Sequence, residues 1–194
     1  MRLLLYSVLS ILCLQASATA ADTFPVPKSP NQLMANFVRA INERNIEEYE
    51  RVLHPGFIFA FAPDHRSLAP PDGTWDRERE IRSMSRLLSG QEGMTPYGEA
   101  APAVRTIRFT LDPIECWAHV QSDLETWTRT YDSVLLVIYD DGRRESVLRR
   151  QVFTLTSRRS EHDLQTGTFE MYEWQELENT GSRPRPHGLV RGRF

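Results

Sequence analysis

Asp64 and His65 stand side by side in the segment Ala62-Pro63-Asp64-His65. A histidine with a carboxylate partner is the usual means of moving a proton near neutral pH. Adjacent residues on a loop generally point different ways, so a solvated loop carries more weight than an acid–base pair. His54 precedes Pro55-Gly56, where a helix is predicted to end; a cation there suits the helix dipole, and capping outweighs catalysis. His54, Asp64 and His65 are the candidate catalytic residues. His119 falls in a segment of ambiguous character, and His162 lies between Glu161 and Asp163 in a predicted surface turn. There is no His-x-x-x-His or Cys-x-x-Cys spacing, so no metal site is expected. A Gly-rich phosphate loop and a Gly-x-Ser-x-Gly elbow are also missing, and no cofactor is expected.

A second set of residues has the mixed aromatic and polar character of a small-molecule pocket: Phe37, Phe61, Trp75, Tyr139, Arg149, Gln151 and Trp174. The competing reading for each is core packing or a cross-strand pair. Arg149 and Gln151 share strand parity with Phe153 and Leu155, so if those face a cavity, Arg149 and Gln151 face inward too. An inward arginine could hold a carboxylate or phosphate, or pair with Glu170 or Glu173 on the neighbouring strand.

These side chains need elements to position them. Ser29, Pro30 and Gln32 form a helix-start signature, followed by Leu33, Phe37, Ala40 and Ile41 at helical spacing. Asn45 caps a second helix, with Ile46, Tyr49, Val52 and Leu53 on its apolar face. Residues 57–61 read as a strand covered on both sides. Thr74 is the expected cap of a third helix whose inner face is Trp75, Ile81, Met84 and Leu88. Its solvated side is Arg77, Glu78, Arg79, Glu80 and Arg82. Strands are predicted from residue 103 onward: 106–111, a short edge strand at 116–120, 125–139, 146–156 and 168–177. Asp141-Gly142 marks a hairpin turn. Helices first and a meander afterwards give an α+β layout, with helices on one face of an antiparallel sheet.

The chain has 194 residues, 40% of them hydrophobic and 25% charged, and a net charge of −3. One domain is expected, and the acidity argues against a nucleic-acid partner. Residues 1–20 have the form of a signal peptide: Arg2, an apolar run at 3–14, and Ala18-Thr19-Ala20 as a cleavage site. The run is shorter than the ~20 apolar residues a membrane span needs, so export to the periplasm or the exterior is expected, with no integral membrane segment after cleavage. Residues 21–28 read as a mobile leader, 29–178 as the domain, and 179–194 as an Arg-rich disordered tail. Cys116, the one cysteine outside the signal segment, reads as a small buried hydrophobe.

Three stretches together carry a likeness. Residues 31–61 form a helix pair ending in Leu53-His54-Pro55 and followed by an aromatic strand, and residues 75–88 form a third helix. Phe169, Met171, Trp174 and Glu176 then follow the spacing of a closing W-x-I-x-x-W-x-D pattern. In this order the chain resembles the nuclear transport factor two-like superfamily (SnoaL-like, a cystatin-type α+β cone), and especially its secreted bacterial members. The resemblance implies a cone with a strongly bent antiparallel sheet packed against three N-terminal helices. It also implies a pocket between them, often closed by a homodimer, and a small apolar or amphipathic ligand. The superfamily includes ketosteroid isomerases, scytalone dehydratase and polyketide cyclases of the SnoaL type. In the isomerases an aspartate before a proline is the general base; Ala62 holds that place before Pro63. The expectation is therefore a secreted, noncatalytic small-molecule-binding or interaction domain. The alternative is a lyase, isomerase or cyclase with a relocated acid–base residue. A closed apolar pocket with two inward titratable groups favours the enzyme, and a cavity filled by Phe and Trp favours the interaction module.

Overall fold

The computed structural model describes residues 23–65, 69–94, 100–120, 123–160 and 163–178. The expected signal peptide, the Arg-rich tail and His162 lie outside them.

Helix α1 (Pro30–Asn42) starts where Ser29 Oγ accepts from the Gln32 amide at 3.2 Å. Arg44, at a φ of 57°, turns the chain, and its Nη2 donates to Val104 O at 2.6 Å. Helix α2 (Ile46–Val52) then starts on Asn45, which accepts from Glu48 N at 3.0 Å. Helix α3 (Arg77–Ser89) is capped by Asp76, which accepts from Arg79 N, and not by Thr74. Residues Thr74–Asp76 pair as strand β2 with β1 (Leu53–Ala60), and sheet pairing moves the helix start along the chain.

Short strands β3 (Gly93–Met94) and β4 (Ala100–Ala101) pair with each other. The main sheet adds β5 (Val104–Pro113), β6 (Ala118–Val120), β7 (Asp123–Tyr139), β8 (Arg144–Ser160) and β9 (Asp163–Glu176). Its order is β2-β1-β9-β8-β7-β5, with β6 alongside β7. The expected antiparallel sheet is in fact mixed, because β1 and β9 run parallel. β1 enters the sheet before α3 and the meander, and β9 closes beside it from the same end. β1 is also covered on one face only: Phe57 and Phe59 are buried while Ile58 is 39% exposed.

The apolar faces of α1, α2 and α3 meet one face of the sheet in a single core. Two charged residues of α3 predicted to face solvent do otherwise. Glu80 is fully buried, where it accepts from the Tyr49 hydroxyl at 2.6 Å. Arg77 donates to Glu50 O at 2.9 Å, closing the last turn of α2. Residues 23–28 are tied to the domain, unlike the predicted mobile leader. Pro25 O accepts from Asn36 Nδ2 at 2.7 Å, Pro27 O accepts from Phe169 N at 3.0 Å, and Phe24 lies under Arg39. Cys116, predicted to be buried, is exposed. No helix among the described residues is long and apolar enough to cross a membrane.

Asn42, the last residue of α1, clamps the edge strand β5. Its Oδ1 accepts from Phe109 N at 2.7 Å and its Nδ2 donates to Phe109 O at 3.0 Å. Both backbone groups of an edge residue are satisfied, which blocks one point where another strand could add. Asn42→Ala is expected to cost about 1–3 kcal/mol by leaving them unmatched. Hydrogen exchange at the Phe109 amide should accelerate, and unchanged protection would show that the clamp is not holding the strand.

Candidate functional site

Cross-strand register places one set of side chains on the helix-covered face of the sheet. Trp174 of β9 is opposite Phe153 of β8 and Phe59 of β1. Phe37 projects from α1 into the same space. Its ring lies 5.2 Å from Trp174, 5.7 Å from Phe153 and 5.7 Å from Phe109. Phe37, Phe59, Phe153 and Trp174 are all buried, so the centre of this face is filled by interlocking rings in mostly edge-to-face contact. Phe37 and Trp174, expected to line a pocket, are interior packing. Phe61 and Trp75 extend the cluster, with ring centroids 4.8 Å apart. Tyr139 is buried near the far end of β7, where its hydroxyl meets Glu145 Oε2 at 3.3 Å.

Beyond the rings the same face becomes polar. On β8 the next inward residues are Gln151 and then Arg149, opposite Tyr131 and Ser133 of β7. Gln151 is also opposite Glu176 of β9. His65 reaches this point from the 3-10 turn Pro63–His65, which is secured by His65 N donating to Ala62 O at 2.9 Å. His65 Nδ1 lies 3.0 Å from Glu176 Oε2, and Arg149 Nη2 contacts His65 Nε2. Asp64 Oδ2 is 3.8 Å from both His65 Nε2 and Arg149 Nη1. His65 is 7% exposed and Glu176 2%, so this is a buried network with Asp64 at its solvent side.

Hydrogen-bond chemistry selects between the two tautomers of the neutral ring. A guanidinium only donates and a carboxylate only accepts. Neutral His65 satisfies both neighbours when Nδ1 carries the proton toward Glu176 and Nε2 accepts from Arg149. Both ring nitrogens are then engaged.

Two polar groups beside this network are unmatched among the described residues. Arg149 Nε is buried with no acceptor, and Gln151 Oε1 is buried with no donor. Gln151 is 5% exposed. Tyr131, across from it, is buried; burial raises its phenol above the ordinary value, with nearby Arg129 pulling the other way.

The fold thus brings together Asp64, His65, Arg149 and Gln151, spread over nearly ninety positions of sequence. The loop argument that Asp64 and His65 should diverge is overturned, because the 3-10 turn sends both toward Arg149. Glu170 and Glu173, the sequence-predicted partners of Arg149, are replaced by His65 and Asp64; Glu173 instead lies 3.4 Å from the Thr154 hydroxyl. Glu176 was not singled out as a site residue. Its signal was its place as the acidic end of the closing motif, with the same strand parity as buried Trp174. His54 belongs to β1 and not to the end of a helix. It lies away from this network, with its ring 5.4 Å from Tyr172 and Nε2 4.0 Å from Glu170 Oε2. No group of three or more metal-ligating side chains converges among the described residues.

A separate open groove of about 790 Å³ runs between α1 and strands β5 and β7, past Asn31, Met34, Val38, Leu111, Arg129 and Tyr131. Two of its polar groups already have partners: Arg129 Nε donates to Glu115 O at 2.6 Å, and Asn31 Oδ1 accepts from Trp117 Nε1 at 2.8 Å.

No family model matches the sequence, and neither does any curated protein. Solved structures do. A proposed aromatic ring hydroxylase from Novosphingobium aromaticivorans superposes with a TM-score of 0.51 at 13% identity, over 76% of this chain and 84% of its own. A nuclear transport factor 2-like superfamily protein from Salmonella enterica serovar Typhimurium gives 0.51 at 10% identity, over 78% and 90%. At such identities the likeness concerns the fold, not the chemistry. Among the described residues, three helices against one open mixed sheet, with α1 packed on β5 and β9, give this chain the nuclear transport factor 2-like fold.

Proposed function

We propose that this chain is an exported, noncatalytic small-molecule-binding domain whose ligand meets the Arg149–Gln151 end of the concave face. One observation carries the reading: buried Gln151 Oε1 and Arg149 Nε lack partners among the described residues, beside a network in which His65 has a neighbour at each ring nitrogen. Orphaned buried polar groups cost stability, so their presence points to a partner that arrives from outside. The ring-filled centre supports a small ligand at this end over a large one across the whole face. The apolar run at 3–14 and the Ala18-Thr19-Ala20 site support export.

Native mass spectrometry of the exported protein, purified from its own cell, tests this. A stoichiometric adduct that disappears in Gln151→Leu is expected, and the same spectrum reports whether the protein is a homodimer. A chain free of adduct in both forms would count against binding.

A second reading, acid–base catalysis by His65, is favoured by the Glu176 contact at Nδ1, the usual way of orienting a catalytic imidazole. It requires Arg149 to leave Nε2. Conversion of the adduct molecule by the wild type, lost in His65→Asn, would establish it.

A further inference from the structure

The unmatched groups, together with the charges around them, narrow the chemistry of that ligand. The network holds two carboxylates, Asp64 and Glu176, against a single guanidinium, Arg149. Whichever form His65 takes, no positive charge is left over. A ligand carboxylate or phosphate would approach Arg149 within reach of Asp64, whose oxygen already lies 3.8 Å from the guanidinium. Like charges at that range repel, and the buried setting weakens solvent screening.

The remaining capacity is hydrogen bonding without charge. Arg149 Nε requires an acceptor. Gln151 Oε1 has no donor among the described residues, and turning the amide presents either an acceptor or a donor. In one direction along β8, Phe153 and the Trp174 opposite it fill the space. In the other direction along β8, Val147 shares the face of Arg149 and is opposite Leu135. Both are only partly buried, which leaves apolar surface beside the polar pair.

We infer that the site takes an uncharged amphipathic molecule, its carbonyl, amide or hydroxyl head held by Arg149 Nε and Gln151 and its apolar body laid over Leu135 and Val147. This rests on the proposed binding function and replaces the anion that an inward arginine first suggests. Gln151 is then a specificity residue retained at the expense of stability, since an apolar side chain would fill its place without an orphaned amide.

Three probes with one tail and different heads test this: octanamide, octanol and octanoate, titrated calorimetrically into the full chain well above the carboxylate pKa range. Octanamide should bind at least about tenfold more tightly than octanoate, a difference of about 1.4 kcal/mol. Gln151→Leu should lose that discrimination while melting at the same temperature or higher. Equal or tighter binding of octanoate overturns the uncharged-head inference but leaves the binding function standing. Gln151→Leu that melts higher while the wild type shows no head-group preference means that water alone met the amide, which also overturns the inference. No heat from any probe at millimolar concentration, in either protein, counts against the binding function itself.

Discussion

Phe37→Ala is expected to cost about 3–5 kcal/mol, the range for deleting a buried phenylalanine from a core that cannot collapse around the void. Phe37 is fully buried, and its ring contacts Tyr49, Phe109, Phe153 and Trp174 from four directions. It is the point through which α1 is joined to β5, β8 and β9. For a domain of this size each kcal/mol moves the melting temperature by roughly 2–4 °C, so a fall of about 10 °C is the expected reading. Phe37→Leu keeps most of the volume and should lose less than half as much. If Phe37 instead lined open ligand space, Phe37→Ala would melt close to the wild type, and the description of a ring-filled centre would fail.

The second large effect is expected at Glu176. Glu176→Ala removes the acceptor of His65 Nδ1 and leaves that buried group unmatched, while Arg149 keeps Asp64. Leaving a buried donor without an acceptor costs up to about 3 kcal/mol. Glu176→Gln retains an acceptor and should cost about 1–2 kcal/mol. His65→Ala alone should also be destabilising, but the double variant should lose less than the sum. A coupling of about 1–3 kcal/mol is expected for side chains in direct contact at 3.0 Å. Denaturant unfolding of the four proteins measures it. Strict additivity would mean that the pair is not a stabilising unit, and the orientation of His65 would need another cause.

The two variants probe different layers of the same face. Phe37 reports on apolar packing, which fixes where α1 lies across the sheet. Glu176 reports on the polar end that this packing leaves uncovered. A protein that tolerated changes at Glu176 but not at Phe37 would retain its fold and lose only the definition of its site.

Local features were legible in the sequence because their causes are local. Ser29 and Asn45 cap helices through atoms three residues away, and Asp141-Gly142 turns a hairpin with Gly142 at a φ of 85°. Parity on β8 placed Arg149 and Gln151 on the face of Phe153 and Leu155, since side chains alternate along any strand. The order of helices first and strands afterwards pointed to the α+β layout. What failed at this level failed where distant pairing overrides local preference. Thr74 yielded its capping role to Asp76 because β2 pairs with β1, and Glu80 went inward because Tyr49 offered it a hydroxyl.

The site itself required the folded chain. Asp64 and His65 were visible as a possible pair, but they gain meaning only from Glu176, 111 positions from His65, and Arg149, 84 positions from it. Two tertiary facts create that meeting: the parallel pairing of β1 with β9, and the short turn after β1 that folds back onto them. Neither leaves a periodic signal, because a contact across the sheet depends on register and on the helices covering it, not on spacing along the chain. The residue types capable of chemistry were therefore readable from the sequence alone. Which of them meet, and which buried polar groups stay unmatched among the described residues, was decided only by tertiary structure.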